Sequence, residues 1–92
     1  MEYVSTNYNE EELAWVSPEI TLQRDIYLMI KLKRSGKLLI RQDKGDGKKP
    51  RVPIRAHKNT DKFYLRLQVI PETVKIQIFT SSEPKEIKYA YI

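Results

Sequence analysis

Asp25-Ile26-Tyr27-Leu28-Met29-Ile30-Lys31-Leu32-Lys33 sets an aliphatic residue at every second position, with Tyr, Met and Lys between. A period of two puts successive side chains on opposite faces of a β-strand. Ile26, Leu28, Ile30 and Leu32 therefore share one face, and Tyr27, Met29, Lys31 and Lys33 share the other. Phe63, Leu65, Leu67 and Val69 repeat the pattern, as do Val74, Ile76 and Ile78. The architecture follows from this rhythm: a β-sheet with one greasy and one polar face.

Working outward, the segments 19–24, 25–33, 37–42, 51–56, 62–70, 74–80 and 87–92 read as strands, separated by short polar stretches. Arg34-Ser35-Gly36-Lys37 reads as a hairpin turn in which Gly36 takes positive φ. Pro53 marks its strand as an edge or a bulge, because proline cannot donate to a ladder. Asn9-Glu10-Glu11-Glu12 has the form of a helix start. Asn caps free amides, acids oppose the positive helix end, and Ser17-Pro18 stops the segment. A short helix over 9–16 is expected, preceded by a flexible terminus over 1–8, with residues 9–92 forming a single domain. The expected fold is an all-β antiparallel meander of six to seven strands. With one helix to cover an almost wholly aliphatic face, the meander is expected to curl into a small barrel or half-barrel.

Ninety-two residues suffice for one domain burying roughly 60–65% of its unfolded surface. Without cysteine there is no disulfide and no thiolate metal site. No apolar run nears the roughly 18 residues that span a bilayer, and the first residues carry neither a basic nor an apolar leader. A cytoplasmic protein that does not enter membranes is expected.

Charge is unevenly placed. Residues 1–20 hold five acids (Glu2, Glu10, Glu11, Glu12, Glu19) and no Lys or Arg. Residues 21–92 hold all 17 Lys and Arg against seven acids, a local net charge of +10. Such a body attracts polyanions or acidic partners, and the same lysines also protect sheet edges from mispairing. The acidic segment 9–16 is expected to lie against the basic sheet and mask it.

Among the outward positions, Arg41, Arg51, Arg55, Arg66 and Lys75 alternate with Tyr27, Tyr64 and Phe79. Cations with interleaved rings suit a single-stranded nucleic acid, pairing with phosphates and stacking on bases. Solvent-facing strand positions also favour these residue types for reasons of packing alone. Met29, Leu39, Ile70 and Ile92 share that parity. With Tyr27, Tyr64 and Phe79 they make an apolar patch for a protein partner or a second copy.

Sites for chemistry are lacking. In Asp43-Lys44-Gly45-Asp46-Gly47-Lys48-Lys49-Pro50 the glycines are too close for a phosphate-binding P-loop and no Ser or Thr follows Lys48. The same loop has too few acids for calcium. It reads as a solvated loop, with Lys44, Lys48 and Lys49 as an anion or partner contact. His57 is the only histidine, so neither a transition-metal centre nor a histidine-dependent nucleophile is expected. No metal, no cofactor and no enzymatic activity are expected.

The runs Ser17-Pro18-Glu19-Ile20-Thr21-Leu22-Gln23-Arg24-Asp25, Ile40-Arg41-Gln42-Asp43-Lys44-Gly45 and Glu86-Ile87-Lys88-Tyr89-Ala90-Tyr91-Ile92 resemble a small family of uncharacterised proteins associated with bacterial conjugative transposons. The resemblance spans residues 15–92. It implies a mobile-element context and carries no functional residues. More loosely, a Trp ahead of the strands resembles lipocalin-like small barrels and implies an apolar ligand inside. The lipocalin pattern has Gly two residues before the Trp, where this chain has Leu13. The leading expectation is a non-enzymatic basic interaction module that binds a protein or itself. Nucleic-acid binding is second and apolar-ligand carriage third.

Overall fold

The alternating segments do become strands, but the strands divide between two sheets. The computed structural model describes residues 1–43, 52–54, 59–68 and 75–92. In chain order the strands are β1 (Glu2–Tyr3), β2 (Asn7–Asn9), β3 (Ala14–Val16), β4 (Ile20–Thr21), β5 (Ile26–Gly36), β6 (Leu38–Asp43), β7 (Val52–Ile54), β8 (Thr60–Leu67), β9 (Lys75–Thr80) and β10 (Pro84–Tyr91). Sheet A has the order β1-β10-β5-β8. Sheet B has the order β2-β3-β9-β6-β7, with β4 pairing β9 on the edge that β3 also uses. Every pairing is antiparallel.

The aliphatic face is buried as its period requires. Across sheet A, Ile87 faces Ile30 and Ile30 faces Phe63; Ile26 faces Leu67. Across sheet B, Ile40 faces Ile78 and Gln42 faces Ile76. The apolar side chains among these join one core with Leu22, Leu28, Leu32 and Leu38, and Gln42 is buried as a polar residue. Each fully buried aliphatic side chain contributes about 1.5–3 kcal/mol. Each sheet thus covers the other's apolar face, the arrangement of a β-sandwich.

Neither the meander nor the barrel forms. Most sheet neighbours are distant in sequence, and the chain changes sheet six times, after β1, β4, β5, β7, β8 and β9. A second sheet hides the greasy face as completely as curling would, so no barrel closes.

The stretch expected as a hairpin turn is instead the corner between sheets. β5 runs on through Gly36, and its register with β8 shifts between Lys31 and Gly36. Strands switch sheets through such irregularities. Gly36 is there because of close approach: a Cβ on it would lie 2.6 Å from Ser82 Oγ and 2.8 Å from Ser81 Oγ.

The helix expected over 9–16 is a β-hairpin, and no helix occurs among the described residues. β2 pairs β3, matching Asn7 with Val16 and Asn9 with Ala14. The Asn cap is real, since Glu12 N donates to Asn9 Oδ1 at 3.0 Å. It closes a single turn, which Leu13 reverses by adopting a φ of 53°. Two turns of helix gain too little to stand alone, whereas β3 gains a ladder on β9. The first eight residues carry β1, paired to β10, and β2.

Ser17 repairs the break between β3 and β4 that Pro18 imposes. Ser17 N donates to Ile78 O at 2.9 Å, and Ile78 N donates to Ser17 Oγ at 2.9 Å. A side-chain hydroxyl thus stands in for the missing backbone acceptor. Gln77 Nε2 also donates to Ser17 O at 3.1 Å.

Candidate binding face

The outward residues of sheet A fall into registered rows. Tyr3, Lys88, Met29 and Tyr64 stand side by side across β1, β10, β5 and β8. Ala90, Tyr27 and Arg66 form the next row along β5, and Glu86, Lys31 and Lys62 the next row on the other side. Between the first two rows lies an open groove of about 370 Å³, lined by Met1, Tyr27, Met29, Tyr64, Arg66 and Lys88 among others. Tyr27 is 56% exposed, Tyr64 61% and Tyr3 71%. Three exposed rings around a half-buried methionine are unusual, because a ring left in solvent gains nothing from packing.

Cations rim this face, and carboxylates moderate them. Lys88 Nζ lies 3.0 Å from Glu86 Oε1, and Arg66 lies 3.9 Å from Asp25 Oδ2. The hydrogen bond that Lys88 donates to Glu86 holds its ammonium above the usual lysine range. Beside it, burial pushes the Tyr89 phenol up, helped by the neighbouring Tyr91 and Glu2.

On the outer face of sheet B, by contrast, Arg41 and Lys75 are each held by a carboxylate, beside a groove of about 260 Å³ lined by Leu13, Leu39 and Phe79. Arg41 lies with its guanidinium carbon 4.5 Å from the Phe79 ring centroid, and its Nη1 is 3.5 Å from Glu12 Oε1. Phe79 is left only 5% exposed. Lys75 Nζ is 3.6 Å from Glu19 Oε2. Both carboxylates come from the acidic first twenty residues, which thus pair with these two cations of sheet B.

The residues singled out from sequence are therefore divided. Tyr27, Tyr64 and Arg66 converge on sheet A. Arg41, Lys75 and Phe79 lie on sheet B, with Leu39 facing Phe79. Arg51, Arg55, Lys44, Lys48 and Lys49 fall outside the described residues, as do His57 and Ile70. Ile92 is exposed at the chain end. Parity assigns a residue to a face, but not to a sheet. Tyr3 escapes sequence reading because a strand of two residues has no period.

The hairpin tip is the other conspicuous surface. Glu10, Glu11, Glu12 and Leu13 are all exposed, Leu13 at 72%. A left-handed leucine costs about 1–2 kcal/mol that Gly or Asn would largely avoid. It is strained without burying its side chain.

Among the described residues no three His, Cys, Asp or Glu side chains gather to hold a metal ion, and no helix is long and apolar enough to cross a membrane. No family model, curated protein or solved structure matches this chain.

Proposed function

We propose that this chain is a non-enzymatic binding module that receives a protein partner on the outer face of sheet A. The observation that carries the reading is the cluster of exposed Tyr3, Tyr27 and Tyr64 around Met29, rimmed by Arg66 and Lys88. Rigid amphipathic rings, methionine and arginine are what protein interfaces concentrate at their centres. The partner's chemistry follows: an apolar side chain for the groove, flanked by carboxylates for the cationic rim. The resemblance to the conjugative-transposon family adds a mobile-element setting in the cytoplasm.

A second reading, single-stranded nucleic acid, draws on Tyr27 and Tyr64 standing beside Arg66, as stacking platforms do. It is weaker because a phosphate backbone is charged at every step and would run past Asp25 and Glu86, which pair with Arg66 and Lys88, whereas a peptide can set an apolar residue there and its acids beside Lys31 and Lys62.

Selection from a displayed random-peptide library tests the choice. Enriched peptides are expected to combine a bulky apolar residue with acids. Their affinity should fall at least about tenfold in the Tyr27→Ala/Tyr64→Ala double variant, as loss of aromatic anchors does. Peptides that bind the double variant undiminished overturn the reading. A single-stranded oligonucleotide that binds, with affinity falling steeply as salt rises, transfers the face to nucleic acid.

A further inference from the structure

We propose that the occupant of the sheet A face is the acidic hairpin tip of a second copy, so that copies join head to tail. The inference rests on the protein-binding reading of that face and names its partner. The tip offers the chemistry the face asks for. Leu13 is an apolar side chain 72% exposed, and Glu10, Glu11 and Glu12 precede it directly. The face offers the complement: an apolar groove of about 370 Å³ between Tyr27 and Tyr64, with Arg66 and Lys88 at its sides and Lys31 and Lys62 in the adjoining row. Leu13 enters the groove over Met29, and the carboxylates of Glu10 and Glu11 reach the cations.

Strain at the tip points the same way. Leu13 holds a left-handed φ of 53° that presents its side chain to solvent. Backbone outliers gather at ligand and partner contacts, and one that leaves its apolar group largely outside fits such a contact.

Placement dictates the mode of assembly. Glu12 is anchored to Arg41 on the outer face of sheet B, whereas the receiving groove is on the outer face of sheet A. The core separates the two, so one copy cannot fill its own groove. Donor and acceptor surfaces differ, so the contact is heterologous, and each added copy leaves one tip and one face open. Chains of copies form, not closed two-fold pairs.

Sedimentation velocity of the full chain, run across protein concentration and salt, tests this with two variants. The tip variant is Glu10→Lys/Glu11→Lys/Leu13→Asn, and the face variant is Tyr27→Ala/Tyr64→Ala. All five positions are exposed, and circular dichroism confirms that each variant stays folded. Wild type is expected to grow beyond 10.9 kDa with concentration and to shrink as salt screens the contact. Each variant alone is expected to remain at 10.9 kDa, and their equimolar mixture to double in mass and stop there. The mixture keeps one intact tip and one intact face, and nothing further can add. A wild type that stays monomeric throughout, a tip variant that still grows, or a mixture that stays at single-chain mass overturns the proposal. If the face still selects acidic-apolar peptides in that event, only the self-partner fails. If it selects none, the protein-binding reading fails with it.

Discussion

Replacing Ser17 with alanine removes one oxygen and, with it, the acceptor for the Ile78 amide. The N–H and C=O of one strand residue point to the same side. Ile78 O already receives Ser17 N, so Ile78 N–H also faces Ser17 and turns away from β6. Ser17 is 2% exposed, so water cannot take the hydroxyl's place. A buried donor left without a partner costs about 1–3 kcal/mol. The other bond lost, from Ser17 Oγ to Pro18 O, matters less because Pro18 is exposed and its carbonyl can turn to water. The bonds Ser17 N to Ile78 O and Gln77 Nε2 to Ser17 O use backbone atoms of Ser17 and survive. The loss should therefore stay near 2 kcal/mol, roughly 8–16 °C in melting temperature for a domain of this size. Urea unfolding of Ser17→Ala beside Thr21→Ala, an exposed control on the neighbouring strand, measures it. Hydrogen exchange of the Ile78 amide supplies the local readout and should accelerate selectively. A Ser17→Ala variant within about 0.5 kcal/mol of wild type, with Ile78 protection unchanged, refutes the reasoning.

Three further outcomes are expected. Gly36→Ala should destabilise by about 1–3 kcal/mol, read by urea unfolding. The new Cβ meets Ser81 and Ser82 hydroxyls that cannot swing away without giving up their bonds to Lys37 N and Ser35 O. Leu13→Asn should raise stability by up to about 1 kcal/mol in the same assay, because asparagine tolerates the left-handed backbone and little buried area is lost. Stability should fall as pH rises above about 10. Tyr89 and Lys88 are both held above their ordinary values of 10.0 and 10.5, so the unfolded chain releases these protons first. Their contribution is complete below the ordinary values and lost as pH climbs through the raised ones. Tyr89→Phe should flatten that decline, measured as urea midpoints at rising pH from the ordinary tyrosine value of 10.0 upward.

Local pattern carried far in this chain. The inward positions of β5, β6, β8 and β9 were legible because alternation is a property of neighbouring residues and needs no partner to express it. The same holds for the Asn9 cap, whose bond to Glu12 N formed in a hairpin as it would have in a helix. Tyr27, Tyr64 and Arg66 were legible as outward residues for the same reason. The short helix was misread because capping chemistry is shared by every tight turn, and only the ladder of β3 on β9 distinguishes the outcomes.

What the sequence determined by itself, then, is which residues go inside, that the chain pairs as antiparallel β, and that the acids and bases lie in separate parts of it. What the tertiary structure alone decided is which strands become neighbours. Pairing partners are chosen by backbone hydrogen bonds that carry no side-chain label, and by whichever arrangement hides the most aliphatic surface. That choice sent Arg41, Lys75 and Phe79 to a face where Glu12 and Glu19 pair with the two cations, and gathered Tyr3, Tyr27 and Tyr64 on the other.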